Sequence, residues 1–262
     1  MQRLTYMRDS AYTHVRMTQC IPALILLAGI ATAHATPSGL NNIPTADTTP
    51  QGTFVLQTFT TVGDGINQDL NLGFKTGIDL KKVKLELGLA SHLLPGKGGP
   101  MEVHGKIAVP LGEGLPVIAA GAANISFNSV DRRRAGDTFT YFVVSQDFQC
   151  FRLHAGLAVQ DSQPLPFFGI DKTFRVAKSV AAPDGKSVKE KVGKQVVTTG
   201  TEYRDLFTLR ADAIQQPNHV WLASFGALIP VCKHFVFEAW GNFPTDGAQA
   251  SATLKGNLVF SF

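Results

Sequence analysis

Side chains able to do chemistry recur at two-residue spacing along several short segments of this chain. Lys75, Lys84, Glu86, Glu102, His104, Lys106, Arg152, His154, Arg210, Asp212, Glu238 and Lys255 each stand on the polar side of a stretch whose other side is apolar. Both charge signs are represented in similar numbers. Enclosed together, such groups would pair with one another, and buried ion pairs hold only when well hydrogen-bonded. Hydrolysis by a nucleophilic side chain needs a hydroxyl or thiol beside a base that a third group orients. His104 and His154 fall on the polar side, and Ser145 lies near His154 in sequence. No Gly-x-Ser-x-Gly elbow, His-Glu-x-x-His pair or close pair of carboxylates accompanies them. No cluster of His, Cys, Asp and Glu has metal-ligand spacing either. The residues therefore predict no catalytic centre, no metal and no cofactor, and hydrolysis stands as a third reading.

The elements that must position these groups read as strands. From Gly52 onward, period-2 segments alternate with turn residues. The candidates are Thr53–Thr60, Gln68–Gly77, Val83–Ser91, Met101–Val109, Val117–Phe127, Thr138–Gln146, Phe151–Val159, Pro166–Phe174, Leu206–Ile214, His219–Leu228, His234–Phe243 and Ala252–Phe262. Between them lie turn clusters such as Pro95–Pro100, Gly112-Glu113-Gly114, Pro230 and Pro244–Gly247. Val83, Leu85, Leu87 and Leu89 alternate with Lys84 and Glu86; Phe207 and Leu209 alternate with Thr208 and Arg210. No long 3.6-period segment appears, so the class is all-β.

Two architectures share this pattern. In a soluble sandwich the apolar faces meet; in a membrane barrel they face lipid and the polar faces line the lumen. Twelve strands with short connections favour neighbour-to-neighbour pairing in an up-and-down meander. Apolar strand positions are rich in Phe, with Phe235, Phe237 and Phe243 on one face as in an aromatic girdle. The expectation is a single closed antiparallel barrel of about twelve strands, ten to fourteen being open. Arg175–Arg204, polar and basic around Pro183-Asp184-Gly185, reads as a hairpin insertion or as two more strands.

The N-terminus fits this placement. Arg3, Arg8 and Arg16 precede an apolar run, Ile21–Ala33, and Ala33-His34-Ala35 offers small residues at the positions a signal peptidase reads. The run is shorter than the roughly 20 residues of a spanning helix. Residues 1–35 are expected to be a cleaved signal, 36–51 a periplasmic segment, and 52–262 the barrel. Only 17% of residues are charged, against about 25% in soluble domains. The net charge of +4 gives no ground for nucleic-acid binding. Of the three cysteines, Cys150 and Cys232 lie beyond the signal, and whether they pair is open.

The closing residues Phe260 and Phe262 resemble the C-terminal signal by which bacterial outer-membrane barrels are recognised for insertion, which implies the barrel assembly machinery as a partner. Ser38-Gly39-Leu40-Asn41-Asn42-Ile43-Pro44-Thr45-Ala46-Asp47, running on to Pro50-Gln51-Gly52-Thr53, resembles the opening of YjbH-like outer-membrane barrel proteins associated with exopolysaccharide. That resemblance covers about fifteen residues; it implies an outer-membrane location and export-related polysaccharide partners. Arg132-Arg133-Arg134 is the densest positive run. Guanidinium groups bind phosphates bidentately, so an outward-facing loop there would contact lipopolysaccharide; the alternative is a solvated loop. Taken together, these features predict an outer-membrane barrel with a structural or narrow-pore role. A soluble, secreted β-rich binding protein is the alternative.

Overall fold

An isolated period-2 segment leaves its backbone N–H and C=O groups unpaired, and burial in lipid or protein is open to it only if neighbours supply partners on both sides. In the computed structural model that pairing runs the whole way round. The structure describes residues 37–63, 70–94, 97–126, 138–179 and 201–262. Twelve strands are present among them: β1 Thr53–Val62, β2 Leu70–Leu80, β3 Val83–Leu94, β4 Lys97–Pro110, β5 Val117–Ile125, β6 Phe139–Asp147, β7 Arg152–Gln160, β8 Gln163–Ser179, β9 Thr201–Gln215, β10 Trp221–Cys232, β11 Phe235–Pro244 and β12 Ser251–Ser261. Each pairs antiparallel with the next, and β12 returns to β1, closing the barrel. All twelve segments read from the sequence become strands.

Thr53 pairs with Ser261, so the chain enters and leaves the barrel at the same end, here the terminal end. Turn chemistry matches the connections. At the far end β7 and β8 are joined by Asp161 and Ser162 alone, at φ 48° and 59°, the left-handed pair of a type I′ hairpin. At the terminal end Lys81, at φ 62°, opens the two-residue β2–β3 turn.

Several boundaries differ from the sequence reading. Lys97–Pro100, read as a turn, begins β4. Pro230, also read as a turn, lies in β10 where the register with β11 shifts between Pro230 and Cys232; a bulge tolerates the missing N–H. The polar stretch 175–204 adds no rung to the barrel, because β8 pairs directly with β9. Its flanks lengthen β8 and β9 to 17 and 15 residues, and the ladder runs on to Ser179↔Thr201 at the terminal end. Residues 180–200 lie outside the described residues. So do the expected signal (1–35) and Arg132–Arg134. Cys150 is a free, exposed thiol, so no Cys150–Cys232 bridge forms.

Burial is inverted relative to a soluble domain. Outward-facing Leu87, Phe142, Leu157, Phe168 and Phe225 are 47–57% exposed, whereas Glu86, Glu102 and His104 are fully buried. A sandwich would hide Leu85, Leu209 and Phe260 between sheets; Leu85 and Leu209 are half-buried and Phe260 is exposed. Phe243 faces outward as expected of a girdle, but Phe235 is buried beside the β10 register shift.

Candidate functional site

The lumen is occupied. Residues 37–51, expected to stand outside the barrel, run into it and touch the wall on nearly every side. The tip is a tight loop: Gly39 bridges Pro44, and the Leu40 amide donates to the Ile43 carbonyl at 3.0 Å. This folds Leu40 and Ile43 onto one side and leaves Asn41 and Asn42 at the apex. Leu40, Ile43 and Ala46 are buried with Val143, Leu165, Phe167 and Ile214, an apolar cluster on the inner wall formed by β6, β8 and β9. The close approach explains two wall glycines. A Cβ on Gly169 would lie 2.5 Å from Leu40 Cδ1, and one on Gly77 would lie 1.6 Å from the Thr49 carbonyl oxygen.

The opposite side of the segment is held by charge. The Glu86 carboxylate on β3 accepts bonds from the Ser38 amide (2.7 Å), the Ser38 hydroxyl, the Thr49 amide (2.7 Å) and the Thr49 hydroxyl (2.8 Å). Lys106 Nζ donates to the Ser38 and Asp47 carbonyls, both at 2.6 Å, and lies 3.8 Å from Glu86. Lys75 Nζ donates to the Ser38 hydroxyl at 2.9 Å. Asp212 accepts from the Asn41 amide at 2.8 Å and the Asn42 amide at 3.2 Å, and Asn42 Nδ2 donates to Asn242 at 2.8 Å. Hydrogen bonds to ionised partners are the stronger kind, and here they come from β2, β3, β4 and β9 onto one segment. At the mouth, half-exposed Asp47 pairs with Arg152 at 2.5 Å. Partial burial pushes the Asp47 carboxyl up, but the Arg152 guanidinium more than offsets this and the net displacement is downward.

A second cluster is held within the wall itself. Glu238 accepts from Arg210 Nη1 at 2.6 Å and Asn257 Nδ2 at 2.7 Å, with Lys255 Nζ 3.6 Å away and placed over the Phe59 ring. A third joins Ser145, His154 and Asp171 on β6, β7 and β8. Ser145 Oγ is 2.7 Å from His154 Nδ1, and His154 Nε2 is 3.1 Å from Asp171 Oδ2.

Of the residues expected to line the lumen, Lys75, Glu86, Glu102, His104, Lys106, His154, Asp212, Glu238 and Lys255 are buried, and Arg152 and Arg210 are largely so. Lys84 is not among them: it shares the inward parity of Glu86 but sits one residue from the β2–β3 turn and is exposed to solvent. Sequence reasoning missed Ser38, Asn41, Asp47, Thr49, Asp171 and Ser224, whose hydroxyl accepts from Asn41 Nδ2 at 3.1 Å and donates to Asp212. The Ser38–Asp47 motif was a usable signal, because small and amide residues around a Leu/Ile pair suit a loop packed against a wall. Phe262 is 93% exposed, its amide donating to the Gly52 carbonyl at 3.0 Å.

No protein-family model matches the sequence, and no curated protein does. Solved structures are similar in fold. A KdgM porin in complex with disordered oligogalacturonate aligns with TM-score 0.51 at 6% identity, covering 79% of this chain and 99% of that one. A NanC porin aligns at 0.44 with 8% identity over 78% and 98% of the two chains. LpxR from Salmonella typhimurium aligns at 0.39 with 10% identity over 79% and 100%.

Proposed function

We propose that this protein is an outer-membrane barrel whose lumen is a narrow transport path, closed at rest by its own residues 37–51. The observation that carries the membrane placement is the inverted burial: large apolar side chains circle the outside while Glu86, Glu102 and His104 are enclosed. In water that arrangement exposes far more apolar surface than a soluble monomer tolerates; in lipid it is the expected order. The observation that supports transport is that a large part of the lumen filling is a tethered strand-free segment, which lies beside the paired wall side chains of Glu238, Arg210 and Lys255. Such a segment can leave without unpairing a single barrel strand.

The wall offers a polar path once the segment is out. Among the described residues, the buried Asn71 amide, the Trp240 indole N–H and the ring nitrogens of His104 have no hydrogen-bond partner. Orphaned buried polar groups are costly, and a passing polar solute would satisfy them. Oligosaccharide is the solute class we favour, on the resemblance of residues 38–53 to exopolysaccharide-associated barrels; the oligogalacturonate of the similarly folded KdgM porin is of the same class. In this reading residues 1–35 are removed on export, the termini face the periplasm, Phe260 and Phe262 engage the barrel assembly machinery, and Arg132–Arg134 face lipopolysaccharide.

Planar-bilayer recording tests the proposal. The intact protein should show small or brief, weakly selective conductance, because both charge signs line the wall. Removing residues 37–49 should give a larger, sustained step and admit oligosaccharides in liposome-swelling assays. Equal, negligible conductance from both proteins would overturn the transport reading. A protein that stays monodisperse without detergent would overturn the membrane reading and restore a soluble binding protein.

A further inference from the structure

The Ser145–His154–Asp171 chain is not needed to close the barrel, and its geometry has a direction. The Ala46 amide donates to Ser145 Oγ at 2.9 Å. With one bond received there, the hydroxyl proton is free to point at His154 Nδ1, 2.7 Å away. His154 then carries its proton on Nε2, facing Asp171 Oδ2 at 3.1 Å. This is a hydroxyl with a base at hydrogen-bond distance and a carboxylate orienting that base, the arrangement that activates a serine. The ring nitrogens are exchanged relative to the usual serine hydrolase order, which leaves the acid–base role of the imidazole unchanged. The register enforces the contact: Ser145 lies directly across from His154, and Asp171 is across from Arg152, two residues along β7.

We propose that Ser145, His154 and Asp171 form a hydrolytic site for acyl esters, masked by the lumen segment. The neighbouring wall fits an acyl chain. Val143, Leu165 and Phe167 continue inward from the triad on β6 and β8, and the segment's Leu40 and Ile43 now fill that apolar cleft. Toward the mouth stands Arg152, whose Nε stays with Asp147 at 3.2 Å and whose Nη1 would be open to an anionic head group once Asp47 leaves. The site is one residue deep: the Asp171 side chain is 18% exposed and that of Asp47 46%. Withdrawal of Ala46 and Asp47 therefore uncovers Ser145 from the terminal end.

The chemistry closes without any further cofactor. Ser145 Oγ attacks the ester carbonyl carbon as its proton passes to His154 Nδ1, and the carbonyl π pair moves to oxygen. Collapse of the tetrahedral intermediate breaks the bond to the alcohol, which leaves with the proton from His154. Water repeats the sequence on the acyl-serine, releasing the fatty acid. Nothing is oxidised or reduced.

The test uses the detergent-folded protein, a form lacking residues 37–49, and the full-length Glu86→Gln variant, each with and without Ser145→Ala. A fluorophosphonate probe and p-nitrophenyl butyrate and octanoate are the reagents, with conductance read on the same preparations. We expect the uncovered forms to be labelled at Ser145 and to hydrolyse octanoate faster than butyrate. Ser145→Ala, His154→Ala and Asp171→Asn should each lower the rate at least tenfold, the first two abolishing the label. An uncovered form that conducts but neither labels nor exceeds its Ser145→Ala counterpart overturns the hydrolytic site and leaves the pore intact. A form that labels without conducting does the reverse. The point variant keeps the test decisive if the deletion does not fold.

Discussion

One carboxylate holds most of the lumen segment. Glu86 takes four hydrogen bonds from Ser38 and Thr49 and stands near Lys106, in an enclosure where no solvent reaches it. Truncating one partner of such a group leaves the other charges uncompensated, a change of about 3–5 kcal/mol for a buried pair. Glu86→Gln preserves size and removes the charge, leaving Lys106 and Lys75 facing each other across Ser38. The expected outcome is release of residues 37–49 with the barrel retained. Limited subtilisin digestion followed by mass measurement would show the loss of the N-terminal segment, while migration on unheated gels stays that of a folded barrel. Unchanged protection would mean that the apolar contacts of Leu40 and Ile43 suffice alone. Asp47 behaves differently because it is half-exposed. Its folded value lies below the ordinary carboxylate value of about 3.9. A depressed carboxylate contributes stability that is full above the unfolded value and disappears as pH falls through the folded one. The Arg152 latch should therefore hold at neutral pH and loosen below about pH 4. Conductance recorded from pH 7 down to pH 3 should rise at the acid end. Asp47→Asn should show the raised level throughout, and an acid response identical in that variant would refute the latch.

The strands and the lumen segment differ in how they could be read. Each strand announces itself: Lys84 and Glu86 against Leu85 and Leu87, or Arg210 and Asp212 against Leu209 and Ala211, assign two faces without any knowledge of the fold. What the pattern does not contain is a segment whose partners are scattered over the whole sequence. Asn41 finds Asp212 and Ala46 finds Ser145, contacts set by barrel closure and invisible to local spacing. The same holds for Asp171, whose partnership with His154 crosses a hairpin. Residues 36–51 thus read as a periplasmic segment, although 37–51 form the lumen filling. Lys84 failed for the converse reason: parity fixes a face but not distance from the rim. A glycine supplies the test at this scale. Thr49's carbonyl passes so close to Gly77 that a Cβ there would lie 1.6 Å from it, and backbone cannot yield as a flexible side chain can. Gly77→Ala should push the stem of residues 47–51 off β2 and raise conductance, while the inward-facing methyl leaves the β1–β2–β3 ladder paired. Conductance equal to that of the parent would show that the stem does not close the path.

At the scale of the molecule, everything turns on what touches the outer face. Closure leaves no free edge among the twelve described strands, so the outer face presents an apolar belt rather than a strand to pair with a partner. Leu87 stands near the middle of β3, its side chain 49% exposed between Glu86 and Gly88. If water lies outside, Leu87→Arg replaces one exposed side chain by another, and surface changes of that kind stay within about 0.5 kcal/mol. If acyl chains lie outside, a guanidinium near the bilayer midplane costs about 2–4 kcal/mol, falling towards zero near the interfaces. Guanidinium unfolding in lipid vesicles separates the two. We expect Leu87→Arg to be destabilised within the larger range and Leu80→Arg, the last residue of β2 beside the terminal-end turn, to be nearly neutral. Equal, small effects at both positions would mean that the belt meets no lipid. A depth-dependent pair of values would locate the hydrocarbon on the barrel wall, with the polar cluster of Glu86, Lys106 and His104 enclosed at the same height.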